Sequence, residues 1–426
     1  MADRKWFEDF QHDSESFIIG RMVKSRQDGI FSDGGLSGMV SLDSTPWGMY
    51  DKPGSEKPFS YQYLAYKERL SFGTYTPYYS QIGGQGILFS LLDRAIPLVP
   101  NTKLQIFYGL TSLLSALTLA LVVLWFALEF NIFTGAFVFG SMALSQWLVV
   151  FGRNLWWCIW VFYLPMVVFL FLLRRYKEPK RLDGAKLGSL VLILVFIKCL
   201  INGYEYMTTT LIMMMVPLVY YNILHRLGIR RMVKDIALML LGSFLATFLS
   251  LIILCFQIGT VEGSMIKGVD HILYSLSERT YSNPQKFTGL IAGGLKFDIL
   301  SIVIRYVKGS FLSLTNIPAI TGSFLSLYLL QVRYAYILFI TFVASVFLYS
   351  FRKKCKSLKQ GQKQIALVLT TWFSILAPLS WFIIFKQHSY THTHMNFIVW
   401  QMPFIFFCFA LCSLAIKKVT NPIPLK

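Results

Sequence analysis

The chain has 426 residues, of which 55% are hydrophobic and only 14% charged, well below the quarter that soluble domains ordinarily carry. Its formal charge of +19 would suit a nucleic-acid binder if it were gathered in one patch, but residues 1–104 are nearly neutral, with 11 Lys/Arg against 12 Asp/Glu. The remaining excess sits in short loops between apolar runs, which is the positive-inside pattern of a membrane protein and argues against nucleic acid as a partner.

Residues 1–104 contain no run long enough to span a bilayer. Ser14–Lys24 predicts a short helix, for which Asp13 or Ser14 is a natural N-cap. A Gly-rich loop follows from Gly29 to Gly48. Gln81–Leu98 then opens with glycines and places Leu88, Leu91, Leu92, Ala95 and Ile96 on one helical face, as expected of a helix lying in the membrane interface.

From there the chain predicts about nine transmembrane helices, at 105–129, 131–151, 155–173, 187–202, 205–224, 236–257, 334–351, 364–385 and 396–416. Leu110–Leu128 and Ile236–Phe256 contain no charge at all, and such runs must be helical because lipid cannot satisfy open backbone groups. The expected fold is an all-α integral membrane protein, a polytopic helical bundle with outer-side loops and interfacial helices. Residues 1–104 form its first outer loop, 105–257 carry six spans, 258–333 form a second outer region with a short helix at Ile299–Val307, and 334–426 carry three spans and a tail.

Four basic connections orient the bundle. Arg174–Lys186 has six Lys/Arg, Arg226–Lys234 has four, Arg352–Lys363 has six and the tail from Lys417 has three. Placing all four in the cytoplasm is self-consistent. It puts 1–104, Arg153-Asn154, Asn202–Tyr206, 258–333 and Lys386–Met395 outside. Met1–Asp13 lacks a signal peptide, so this orientation predicts a further transmembrane helix upstream of Met1; the alternative is a cytoplasmic 1–104. The six cysteines (Cys158, Cys199, Cys255, Cys355, Cys408, Cys412) fall in none of these outer loops, so no disulfide framework is expected.

Chemistry is therefore sought in the outer loops. Asp13 is either a helix cap or a general base at the membrane surface. Residues 386–394, KQHSYTHTH, hold three of the six histidines. His388, His392 and His394 have zinc-like spacing, suit phosphate binding, or simply solvate a helix end. Glu205, in the hairpin NGYEY, is an acid where water meets lipid; Lys198 either snorkels outward or pairs with it. Arg153, flanked by Trp147, Trp156 and Trp157, is a phosphate ligand or a belt anchor, and Gln146 an interhelical hydrogen bond.

The element Asp13-Ser14-Glu15-Ser16-Phe17, followed by Gly29, resembles the acidic first outer loop of GT-C glycosyltransferases. The similar branch uses polyprenyl-phosphate sugars and includes bacterial protein-mannosyltransferase-like and aminoarabinose-transferase-like enzymes. YTPYYSQIGGQG, GRNLWWCIWVFYLP, NGYEYMTTT and APLSWFIIFKQHSYTHTH carry the same resemblance along most of the chain. The resemblance implies a multi-pass protein of a bacterial inner membrane with its main loops periplasmic. It further implies a polyprenyl-phosphate-linked sugar donor, a lipid, glycan or protein acceptor, and a first transmembrane helix ahead of this chain. Asp13, then Glu15, would be the base; Arg153, Lys386, His388 and His392 would bind the carrier phosphate; Tyr78, Gln81 and Glu205 would line the cleft. Many members have an adjacent Asp-Glu pair where Ser14 intervenes here, and some a second acid where this chain has Arg153-Asn154. Which carboxylate acts, and whether a divalent metal takes part, stay open. A transporter or flippase of a lipid-linked or anionic substrate, or a non-catalytic envelope-assembly protein, is the competing expectation; the absence of evident repeats counts against a transporter.

Overall fold

The computed structural model describes residues 4–41, 58–175, 183–313, 331–351 and 358–420. Most of the basic loops at 174–186 and 352–363, Cys355 and the end of the tail lie outside them, as does much of the Gly-rich stretch 29–48.

The first helix is longer than the sequence suggests. α1 runs Arg4–Asp28 and ends at Gly29, whose φ of +98° a side chain would resist. Asp13 and Ser14 therefore sit within the helix and cap nothing; the Ser14 hydroxyl donates back to the Phe10 carbonyl at 3.1 Å. Gly20 lets strand β1 (Gly38–Ser41) lie directly on α1, where a Cβ would come 2.3 Å from the Gly38 carbonyl oxygen. Buried Arg21 donates to the carbonyls of Gly29, Ile30, Ser32 and Leu36, closing the turn after α1. β1 pairs antiparallel with β2 (Thr74–Pro77) in the register Gly38↔Pro77, and α2 (Pro58–Glu68) packs beside α1.

α3 (Gly84–Ala95) occupies the segment expected at the interface, with its polarity reversed from that of a soluble helix. Gln85, Ser90 and Asp93 are buried against the protein while Leu88 and Leu91 face outward. An outward apolar face suits a lipid boundary.

The bundle proper comprises α4 (Pro100–Glu129), α5 (Ile132–Ala143), α6 (Gln146–Arg153), α7 (Ile159–Arg175), α8 (Gly184–Asn202), α9 (Met207–His225) and α10 (Ile229–Glu262). After it come α11 (Met265–Arg279), α12 (Gly289–Lys296), α13 (Ile299–Lys308) and a second hairpin, β3 (Ser310–Ser313) with β4 (Gln331–Arg333). The chain closes with α14 (Tyr334–Ser350), α15 (Leu358–Ser374), α16 (Leu376–Ile384), α17 (Lys386–Thr391), α18 (Thr393–Asn396) and α19 (Phe404–Thr420).

Among the described residues, five helices are long and apolar enough to cross a membrane, or up to seven if two bent pairs each count as one span. The expected nine is not reached for identifiable reasons. The stretch 131–151 breaks into α5 and α6, bent by 73°, where the Ser145 side chain accepts from the Leu148 amide and restarts the helix. The stretch 396–416 is bent by 45° after Gln401. α7 and α14 are only 17 residues each.

Polar contacts gather at two ends of the bundle. At one, Glu129 accepts from Lys363 (2.8 Å) and Tyr220 (3.0 Å) and faces Arg174 at 3.6 Å, while Arg226 reaches Gln362 and Lys418 the Phe351 carbonyl. The described residues that flank these basic connections thus meet at one end of the bundle. α1–α3, the turns 153–158 and 202–206, α11–α13 and α17 assemble at the other.

Candidate functional site

Asn154, in the turn between α6 and α7, sets the position of α1. Its side-chain nitrogen donates to Gln11 Oε1 (2.8 Å) and Ser14 Oγ (2.9 Å), and its oxygen accepts from the amides of Trp156 (2.9 Å) and Trp157 (3.1 Å). Gln11 also donates to the Val150 carbonyl at 2.9 Å. The turn in which some members of the resembled family carry an acid here offers a neutral bridge that fixes the helix carrying the acids.

Those acids have different environments. Residues two apart on a helix point roughly 200° apart, and the structure separates them accordingly. Glu15 is fully buried; Oε1 accepts from the Leu155 amide (3.0 Å) and Oε2 from the Tyr63 hydroxyl (2.9 Å). Burial pushes its pKa up to about 7, against the pull of those two donors and of nearby Arg153. Asp13 is exposed. Its pKa is raised by partial removal from water, and His394 opposite it offsets part of that rise.

The second half of the site centres on the turn 202–206. Lys198 does not pair with the Glu205 carboxylate. It donates to the carbonyls of Gly203 (2.7 Å) and Glu205 (2.6 Å), holding the turn from beneath. Gly203, at φ +56°, lies so close to Gln81 that an added Cβ would fall 2.3 Å from the Gln81 Cβ. Gln81 is therefore packed into the wall and leaves its buried Nε2 without a partner.

The Glu205 carboxylate belongs to Arg279, at the end of α11. Arg279 donates to Glu205 Oε1 (2.9 Å) and to the Tyr78 hydroxyl (3.0 Å). The second carboxylate oxygen lies 3.8 Å from His388 Nε2 and accepts no hydrogen bond. From there a run of imidazoles continues: His388 to His392 with centroids 4.5 Å apart, His392 to His394 at 5.7 Å. Desolvation, the neighbouring imidazoles and Arg279 hold His388 well below its ordinary pKa and His392 down to about 4. The lowered values favour neutral imidazoles, which leaves Arg279 as the cation beside them. Tyr78 packs against Phe17 (tilted, centroids 4.7 Å apart) and edge-on against Trp156 (5.4 Å), giving an aromatic wall beside the guanidinium.

Two expected phosphate ligands lie elsewhere. Lys386 donates to the carbonyls of Leu295 (2.8 Å) and Phe297 (3.1 Å), fastening the end of α12. Arg153 stacks over Tyr108 (4.1 Å) and near Phe7 (5.6 Å), with its buried Nε unpartnered. It is one of the residues lining an apolar groove of about 560 Å³ between α4, α5 and α6, walled also by Phe7, Ala116, Ala120, Phe139 and Val149 among others.

Among the described residues no group of three or more His, Cys, Asp or Glu side chains is placed to hold a metal ion, so the zinc-like spacing of the histidines gains no support. Arg279 and Tyr63 are the residues that sequence reasoning missed, and Phe17 entered it only as the aromatic end of the acidic element. A signal existed for Arg279: Ile266, Val269, Leu273 and Leu276 repeat at helical spacing ahead of it. No known family model matches the chain, and no curated protein or solved structure matches it either.

Proposed function

We propose that this chain is a membrane glycosyltransferase of GT-C type. It would move a sugar from a polyprenyl-phosphate carrier to a lipid, glycan or protein acceptor on the outer face of a bacterial inner membrane. The observation that carries the reading is the placement of α1: its exposed Asp13 interacts with His394 of the histidine run that leads to Glu205 and Arg279, while Phe7 near its start lines the same apolar groove as Arg153. An acceptor hydroxyl needs a base and a departing phosphate needs cationic donors. Asp13 is the exposed carboxylate for the first task. Arg153 and Arg279 are the guanidiniums for the second. Glu15, sealed between Leu155 and Tyr63, supports the helix instead of meeting an acceptor.

The aromatic wall of Phe17, Tyr78 and Trp156 suits the apolar face of a sugar ring, and neutral histidines suit its hydroxyls. A groove of several hundred Å³ falls in the range of small-molecule sites, and its apolar lining fits an isoprenoid chain.

The test is transfer of a labelled sugar from polyprenyl-phosphate donors by the full chain in lipid nanodiscs. Asp13→Asn should abolish transfer with insertion and thermal stability unchanged. Full activity in that variant removes Asp13 as the base. Vectorial movement of the intact lipid-linked sugar without transfer would favour the flippase reading instead.

A further inference from the structure

A second polar cavity, of about 280 Å³, lies between α1, α2 and the first turn of α4, away from the histidine run. Arg26, Arg69 and Lys103 reach into it, beside Val23, Gln27 and Leu70. One carboxylate, Asp93, stands behind them, and it is already saturated. It accepts from Arg26 Nε (2.7 Å) and Nη2 (2.9 Å) and from the Tyr66 hydroxyl (2.6 Å), and Lys103 Nζ is 3.2 Å away. Among the described residues, three cations meet one anion here, an excess of two positive charges.

Arg69 carries that excess most plainly. It has a left-handed backbone, φ +55°, directly after α2, and its side chain has no ionic partner among the described residues. Arg26 is held by Asp93 and by the Tyr66 carbonyl (2.8 Å), and Lys103 by Asp93 and its carbonyl, so the N–H groups these contacts leave over, two on Arg26, are held in fixed directions. Preorganised guanidinium and ammonium donors around an open volume are what phosphate oxygens require.

Its position adds a second argument. α4 has 30 residues, about 45 Å at 1.5 Å per residue, against a hydrocarbon core of about 30 Å. The first turn of α4, with Lys103, can therefore stand above the hydrocarbon. Beside it, the α3–α4 corner exposes Leu88, Leu91, Leu98 and Val99 together, an apolar edge suited to burial at the interface. The cavity then lies at the level of lipid phosphates.

We propose that this cavity is a binding site for a phosphate-bearing anion, taken either from the headgroup of an anionic lipid or from the adjoining water. It does not depend on the catalytic reading and is separate from the Arg153 groove. Arg69 is exposed and bonds to nothing that holds the fold, so its charge can be removed cleanly.

The experiment is native mass spectrometry of the full chain, delipidated and titrated with phosphatidylglycerol or phosphatidylcholine, with an arm containing millimolar inorganic phosphate. The expected result is one phosphatidylglycerol retained in preference to phosphatidylcholine, with Arg69→Gln weakening retention about tenfold, or about 1.4 kcal/mol, and Arg69→Lys recovering part of it. Displacement by inorganic phosphate assigns the cavity to the soluble anion; retention in its presence assigns it to the lipid. Equal retention of both lipids, or unchanged phosphatidylglycerol binding by Arg69→Gln at unchanged thermal stability, overturns the proposal.

Discussion

Replacing Glu15 with Gln should make the protein more stable at alkaline pH and leave it unchanged in acid. The carboxyl is fully buried and its pKa rises from an ordinary 4.5 to about 7. A raised carboxyl pKa means that the folded state holds the proton more tightly than the unfolded chain. Its contribution is present in full below about pH 4.5 and is lost as pH climbs through about 7. At about 1.4 kcal/mol per pH unit, ionising Glu15 costs the folded protein about 3 kcal/mol by pH 8. Gln mimics the protonated form and keeps an oxygen for the Leu155 amide. The assay is the thermal midpoint of wild type and Glu15→Gln in nanodiscs from pH 4.5 to 8, taken as a difference so that other titrating groups cancel. The midpoints should coincide at pH 4.5 and diverge upward through neutrality in favour of Gln. A difference that stays flat, or grows in favour of wild type, would falsify the assignment of a sealed, proton-holding carboxyl.

Other outcomes follow from the same geometry. Asn154→Ala removes four buried hydrogen bonds and strands the amides of Trp156 and Trp157; a loss of roughly 2–4 kcal/mol is expected, measured by the thermal midpoint. Gly203→Ala must push Gln81 aside and adopt an unfavourable φ, so the yield of folded protein from membranes should drop sharply, whereas Gly152→Ala, with open space at its Cβ, should not. Ala116→Phe partly fills the groove and should abolish transfer from long polyprenyl carriers while sparing short-chain ones; equal loss with both would detach the groove from the carrier chain. Arg279→Lys keeps a charge but cannot span Glu205 and Tyr78 together, and transfer should fall at least tenfold, with recovery absent on raising donor concentration.

What the sequence disclosed was governed by which signals are local. Uncharged runs such as Leu110–Leu128 announce helices because nothing else is tolerated in lipid, and Gln81–Leu98 showed its apolar stripe at helical spacing. The length of α1 was hidden because Asp13 and Ser14 read as an N-cap, although tertiary contacts through Gln11 and Ser14 hold the turns around them helical. The break at Ser145 was masked by the apolar residues on both sides of it. Within the candidate site, Asp13, Tyr78, Glu205 and the histidines were visible as unusual polar residues between spans. Arg279 was not, because its role arises from contacts with residues 74 and 201 positions away. Lys198 and Lys386 misled for the converse reason: a lysine at a helix end looks available until backbone carbonyls are found to occupy it.

The bridge from Asn154 to Gln11 and Ser14, with the Leu155 amide on Glu15, acts as an index pin for α1. Each residue added to a helix advances it by 1.5 Å and turns it by 100°. A single insertion between Ser14 and Phe17, or a deletion there, would leave Asp13 in place but turn Phe17 out of the aromatic wall. The same change between Gln11 and Ser14 would break the pin and swing the exposed carboxylate away from His394. Changes ahead of Phe7 should be silent by comparison. The phase of the third and fourth turns of α1 is thus locked to a loop some 140 residues later.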